Sequence, residues 1–352
     1  MKDTKLTMKE IAEMAGVGKS TVSRYFNGGF VKAETKEKLR IICEKYNYRP
    51  NQAAKILKAK HTNTIGIISP TLTSYTSSVT VTSMDDYLKE RGFRTIIINT
   101  NHSADREKEA FEYLTELNVD GIIILATHNK YNYKELQDKY NIPILFMGQE
   151  IENGYSIVYD DYRSGYKAGE LMAENGHKDI YFIGVDESDV SVGVVRKQGV
   201  YDALKKHKIK AKFIKADFEY EKCLPIIKKE LDKHIPTAII CSTDRMASAC
   251  YTVLLNKNKK IPDDVSIIGF GSYRYSSLMN PPLDSIRFDN HKAGEECAQT
   301  IIEMIAGIEV DYRQLIGFEY VKGKSIRKIW YFFKKCKIWN RFQYFCWQKI
   351  HL

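Results

Sequence analysis

Thr7 to Asn27 reads TMKEIAEMAGVGKSTVSRYFN, and this stretch decides the fold of the N-terminal end. Two short amphipathic patterns flank a glycine. Ile11, Ala12 and Ala15 give the first an apolar face, and Val22 and Phe26 give the second a buried side. Gly16 supplies a position that can turn with positive φ. Ala12, Gly16 and Val22 stand four and then six residues apart. That spacing suits a helix-turn-helix, with a small residue where the helices touch, a glycine at the turn and a β-branched wedge in the second helix. Thr7 and Glu10 fit a capping box at the N-cap and N3 positions. Once Val22 and Phe26 face inward, Lys19, Ser20, Ser23 and Arg24 face outward. Donor-rich side chains of this kind suit base edges and phosphates.

Working outward, Glu34 to Tyr46 is a third amphipathic helix with Leu39, Ile42 and Cys43 on one face. Tyr48-Arg49-Pro50-Asn51 breaks it, and Asn51 can cap a short basic helix, NQAAKILKAK, that carries Leu57 on its surface. The charge of the chain, +10, is unevenly spread. Residues 1–61 hold 14 Lys+Arg against 6 Asp+Glu, or +8. Residues 322–352 hold 9 Lys+Arg and no acid, which leaves the stretch between at −7. A basic head on an acidic body is the balance expected of a polyanion-binding module joined to a regulatory domain.

The seven cysteines form no CxxC pair and no cysteine–histidine cluster with zinc-ligand spacing. An odd count without a framework suits a reducing compartment. The N-terminus has no apolar h-region, and no span of about twenty apolar residues occurs. A cytoplasmic protein with no membrane partner, no metal and no cofactor is the expectation.

From residue 63 the texture becomes α/β. Apolar strand candidates recur at Thr64–Ser69, Thr95–Asn99, Val119–Leu125, Ile144–Met147, Ile180–Gly184, Lys212–Ile214, Ala238–Cys241 and Val265–Phe270. Amphipathic stretches such as SMDDYLKERG, REKEAFEYLTELN and RSGYKAGELMAENG lie between them. Continuous apolar strands alternating with helices argue for parallel sheets covered on both faces. The unit repeats, once up to about residue 158 and again from about 161. Two doubly wound halves place a ligand cleft between the carboxyl ends of their strands.

With these pieces in order, the chain resembles the lactose-repressor (LacI/GalR) family of bacterial transcription regulators. The resemblance runs from about Lys5 to Arg327. It is carried by TMKEIAEMAGVGKSTVSR, YNYRPNQAAKILKAKHTNTIGII, GHKDIYFIG, IPDDVSIIGF and NPPLDSI. It implies an α/β architecture: a three-helix helix-turn-helix head over residues 1–50, a hinge helix over 51–61, and a two-lobed periplasmic-binding-protein-like effector and dimerisation domain with parallel sheets over 62–327. A basic aromatic tail, 328–352, is atypical of such proteins. Its composition favours an altered or frameshifted C-terminus over an arm that touches nucleic acid or membrane.

The resemblance further implies a homodimer whose heads read a pseudo-palindromic operator. By position, Lys19, Ser20 and Arg24 would read bases, while Thr7, Thr21, Ser23 and Asn27 would contact phosphates or brace the helix. Ala54, Leu57 and Lys60 belong to the hinge, where Leu57 matches the leucine that pries open a minor-groove step. In the cleft, Arg196 matches the family's sugar-contacting arginine, Phe218 an aromatic position, and Asp244 follows the TAIICST strand. Tyr75, Ser188, Asp189, Ser191, Gly193 and Ser272 complete the candidate effector set.

Two departures bear on the effector. Many members carry an aspartate after the GF dipeptide, and here Gly271 replaces it; Thr243 stands where asparagine is common. Glu187 to Arg196, ESDVSVGVVR, is expected to open a helix whose hydroxyls, free N–H groups and arginine make an anion site. The patch is similar to that of the trehalose-6-phosphate-responsive repressors, which points to a phosphorylated disaccharide. Gly176-His177 reads as a helix C-cap followed by a satisfied histidine. The function expected is release of a carbohydrate-operon repressor by a sugar or sugar phosphate. The alternative is a corepressor-type regulator whose DNA affinity rises on binding a ligand or partner. A transport receptor would need a signal peptide and no DNA-binding head. An enzyme is disfavoured because no GxxxxGK[ST], HExxH or GxSxG occurs.

Overall fold

A computed structural model describes residues 6–26, 28–48, 61–128 and 130–329. Asn27, the hinge residues Ala54, Leu57 and Lys60, and the tail from residue 330 lie outside the described residues. One compact unit runs through Asn63 and a second carries nearly all of the remainder.

In the first unit, α1 (Met8–Ala15), α2 (Lys19–Phe26) and α3 (Ala33–Lys45) enclose a small core of Ile11, Ala12, Ala15, Val22, Leu39 and Cys43. The capping box is present: Thr7 Oγ1 accepts from the Glu10 N–H at 3.3 Å, and the Glu10 carboxylate accepts from the Thr7 N–H at 2.6 Å. Gly16 closes α1 in the left-handed region, φ +68°, where a residue with a Cβ is strained.

The second unit has two sheets of six strands. The first runs β11-β5-β4-β3-β1-β2 and is parallel throughout. Its strands are β1 (Thr64–Ser69), β2 (Arg94–Asn99), β3 (Gly121–Leu125), β4 (Ile144–Met147), β5 (Tyr155–Tyr159) and β11 (Arg313–Ile316). The second runs β12-β10-β9-β8-β6-β7. It comprises β6 (Ile180–Gly184), β7 (Ala211–Lys215), β8 (Ala238–Cys241), β9 (Ser266–Phe270), β10 (Asp284–Phe288) and β12 (Phe318–Val321). Helices cover both faces of each. In the first lobe α4 (Tyr75–Glu90) and α11 (Asn290–Ile305) share one core with β1, β3 and β4. On the opposite face α5 (Ala104–Glu116) comes so close that a Cβ at Gly66 would meet Leu114 at 2.6 Å. In the second lobe α9 (Tyr220–Lys233) and α10 (Asp244–Asn256) line one face. There α7 (Asp161–Glu174) and α8 (Lys197–Lys206) line the other. The remaining helix, α6 (Tyr133–Tyr140), precedes β4.

The halves are not consecutive: after β10 the chain returns to the first lobe as α11 and β11, and β12 then closes the second sheet. Near the end of the chain, β11 and β12 are separated only by Gly317 and belong to different sheets. The second sheet is not purely parallel, because β12 pairs antiparallel with β10. Alternation of strands and helices identifies elements but carries no information about which sheet a late strand joins. Strands β5 (YSIVY) and β10 (DSIRF) escaped notice because polar residues interrupt their apolar runs.

Asn175 and Gly176 (φ +86°) end α7 as expected, and the His177 ring is buried between the Thr237 hydroxyl and the Arg327 carbonyl, 3.2 Å from each. Burial pulls the His177 pKa down to about 4.

Candidate functional site

The head offers an exposed polar face. Lys19, Ser20 and Arg24 are exposed on α2, Thr21 and Ser23 are half-buried, and Val22 is fully buried beneath them. The first three carry donors that no described residue engages through its side chain. Thr7 differs, because its hydroxyl is held by the capping box.

The cleft lies where the carboxyl ends of the two sets of strands face each other, and its polar groups are engaged. Arg196 is 6 % exposed. Its Nε and Nη2 donate to Asp161 Oδ1 at 2.8 and 2.5 Å, and Nη1 donates to the Ser242 carbonyl at 2.6 Å. The guanidinium sits over the rings of Phe270 and Phe288, 4.6 and 5.3 Å from their centroids. Burial pushes the Asp161 carboxyl up to about 6 against the pull of that guanidinium. Asp244 is fully buried, not open to the cleft. It accepts from the hydroxyls of Ser276 and Ser285 at 2.5 and 2.7 Å and from the Tyr273 N–H at 3.1 Å. Its carboxylate therefore organises the loop after β9.

That loop explains the missing aspartate. Gly271 has φ +127°, and a Cβ there would come 2.4 Å from the Tyr273 ring. Tyr273 folds back over the glycine and meets Tyr75 across the lobes, with centroids 5.1 Å apart. Any side chain at 271 would collide with it. Beside this pair a cavity of about 550 Å³ is lined by Tyr75, Ser272, Phe288, Asn290 and Lys292. Tyr75 and Ser272 are thus brought together at one opening. Phe218 is half-exposed after β7, with its carbonyl held by Arg245.

The expected anion site is not assembled. The segment does open a helix, a π-helical turn over Val190–Arg196 that leads directly into α8. Its first donors, however, are taken. The Val192 N–H bonds Asp189 Oδ1 at 2.9 Å, the Ser191 N–H bonds Gln149 Oε1 at 3.2 Å, and the Gly193 N–H bonds the Asp189 carbonyl at 2.7 Å. Ser188 turns its hydroxyl onto Asp186. Gly193 is present for space, since a Cβ would approach the Asp186 carbonyl to 1.9 Å. Ser191 Oγ donates across the cleft to the Gly148 carbonyl at 2.6 Å. A helix start capped by its own aspartate cannot offer free N–H groups to a phosphate. Sequence reasoning named Arg196 and missed Asp161, Tyr273 and Gln149, which come from elsewhere in the chain and carry no local signal.

Residues 7–51 match the description "Bacterial regulatory proteins, lacI family", and residues 62–324 match "Periplasmic binding proteins and sugar binding domain of LacI family". The chain belongs to the LacI family. It is 32 % identical over 311 residues to the sucrose operon repressor of Staphylococcus xylosus, covering 88 % of this chain and 97 % of that protein. It is 28 % identical over 334 residues to the transcriptional repressor PurR of Mannheimia succiniciproducens, covering 92 % and 99 %. Among solved structures, the Lac repressor dimer bound to operator and an anti-inducer superposes with a TM-score of 0.82 at 23 % identity, covering 92 % of this chain and all of that one. A complex of the regulator CelR with cellobiose gives 0.69, also at 23 % identity, with 91 % and 100 % covered. The protein is accordingly a DNA-binding regulator of this family, and the relatives named are repressors. No helix among the described residues is long and apolar enough to cross a membrane.

Proposed function

We propose that the protein is a homodimeric repressor of a carbohydrate-utilisation operon, released from its operator by a carbohydrate bound between the two lobes. It acts without catalysing a reaction, in the compartment that holds the operator DNA, the cytoplasm. The observation that carries the DNA-binding half is the exposed Lys19, Ser20 and Arg24 face of α2, fixed by Val22 beneath it. Two such helices in a dimer would enter successive major grooves of a pseudo-palindrome. For the effector half, the similarity to a sucrose operon repressor supports a disaccharide. The cavity lined by Tyr75, Ser272, Phe288 and Asn290 offers the aromatic faces and polar partners that a pyranose or furanose ring uses.

The two lobes are tied together by three passages of the chain, after β5, after β10 and at Gly317. Relative movement of the lobes would then change the separation of the two heads, and the ligand shifts operator affinity only by its differential affinity for the two states. The test is a gel-shift series with wild type and Arg24→Ala against an operator and its single-base variants. Arg24→Ala should cost about 1–3 kcal/mol and relax preference at one position. Unchanged affinity and preference would reject the assignment of α2 as the reading helix.

A further inference from the structure

We propose that Gln149 determines the specificity of the cleft: its carboxamide already occupies the start of the Val190–Arg196 turn, where a charged effector group would dock, and so restricts the effector to a carbohydrate uncharged at that end. This rests on the carbohydrate reading above. Gln149 follows β4 in the first lobe and is 3 % exposed. Its Oε1 accepts from the Ser191 N–H at 3.2 Å, while the Ser191 hydroxyl, equally close, gives its proton to the Gly148 carbonyl at 2.6 Å. Its Nε2 donates at 2.9 Å to Asp189 Oδ1, the same oxygen that caps the Val192 N–H. Donor and acceptor ends of one amide are therefore both satisfied by the second lobe.

An anion entering here meets three obstacles. It must displace the carboxamide and strand a buried polar group. It must then sit against Asp189, with Asp186 and Glu187 on the same loop. Finally, the cations nearby are committed: Arg196 to Asp161, Lys215 to Asp186 at 2.8 Å and Lys197 to Glu187 at 2.7 Å. A neutral hydroxyl avoids the charge conflict and can donate to the carboxylate or accept from the amide. Because Gln149 and its partners belong to opposite lobes, the same contact also holds the lobes in register, so selection and closure share one side chain.

The test is isothermal titration of sucrose, trehalose and their 6-phosphates into full-length wild type, Gln149→Ala and Asp189→Asn, with melting curves confirming that each variant is folded. Wild type is expected to bind the free sugar at least tenfold more tightly than its phosphate. Gln149→Ala should narrow that ratio at least threefold by vacating the position, and Asp189→Asn should narrow it by removing charge while keeping the cap. A tighter wild-type complex with a phosphate ester, or a ratio unmoved in Gln149→Ala, overturns the proposal and leaves the carbohydrate reading intact. Should no sugar or ester bind, the carbohydrate reading fails, and inorganic phosphate decides the remainder. Wild type should then show no thermal shift up to 20-fold the concentration that saturates the Gln149→Ala, Asp189→Asn double variant. A shift in wild type, or none in the double variant, overturns the role given to Gln149.

Discussion

The exposed face of α2 in the head and the floor of the cleft treat their charged side chains in opposite ways. On α2, Lys19 and Arg24 are exposed above a buried Val22. In the cleft, Arg196 is enclosed by Asp161, the Ser242 carbonyl and two aromatic rings. A face that must bind a polyanion gains from leaving its donors to water until the phosphates arrive, because the ions displaced there supply the affinity. A cleft that joins two moving lobes needs its polar groups satisfied in the absence of ligand, because a buried orphan is costly. An arginine in a motif is therefore left exposed in the first setting and is a structural post in the second.

Arg196→Ala should have the largest effect and sharpens that contrast. It leaves Asp161 buried without its partner, at a cost of about 3–5 kcal/mol in urea unfolding, whereas Arg24→Ala should leave unfolding unchanged. Equal stability in the two variants would erase the distinction. Gly271→Asp is next. Restoring the family's usual aspartate puts a side chain at φ +127° into the Tyr273 ring, and about 2–3 kcal/mol of strain and overpacking is expected. Tighter sugar binding without a fall in melting temperature would mean that Tyr273 moves aside at no cost.

The third prediction concerns pH. His177 is held neutral, with its pKa lowered to about 4 from an ordinary 6.5. Its contribution is present above 6.5 and is lost as pH falls from there towards 4, since the unfolded chain takes up the proton first. About 2 kcal/mol should disappear between pH 7.5 and 5, and His177→Gln should flatten that slope in paired denaturation curves. The smallest effect belongs to the head. Thr7→Ala removes the capping hydroxyl and should cost about 1 kcal/mol of its stability; a loss of operator affinity beyond that would give Thr7 a phosphate contact as well.

The difference between the two regions also marks how far the sequence could be read. The head was legible because its determinants are local: Thr7 and Glu10 are three residues apart, and Gly16 sits one residue past α1. Most of the strands were legible for the same reason, as apolar runs between helical patterns. The cleft was legible only as a set of positions. Asp161 lies 35 residues from Arg196, and Gln149 lies 40 from Asp189. No spacing rule links such pairs. Tyr273 was close in sequence to Gly271, yet only the folded loop reveals that its ring excludes a side chain there. The interleaving of the lobes has no local signal either, because the return after β10 and the crossing at Gly317 depend on which sheet a late strand joins.

The most direct test is an operator-release titration. Fluorescence anisotropy of labelled operator bound by the full-length dimer is followed while sucrose is added, beside sucrose 6-phosphate and an unrelated polyol. Saturable release by the free disaccharide, with little response to its phosphate and none to the polyol, is the expected result. Operator binding that no carbohydrate alters, or that sucrose strengthens, would contradict a repressor released by a sugar bound between its lobes.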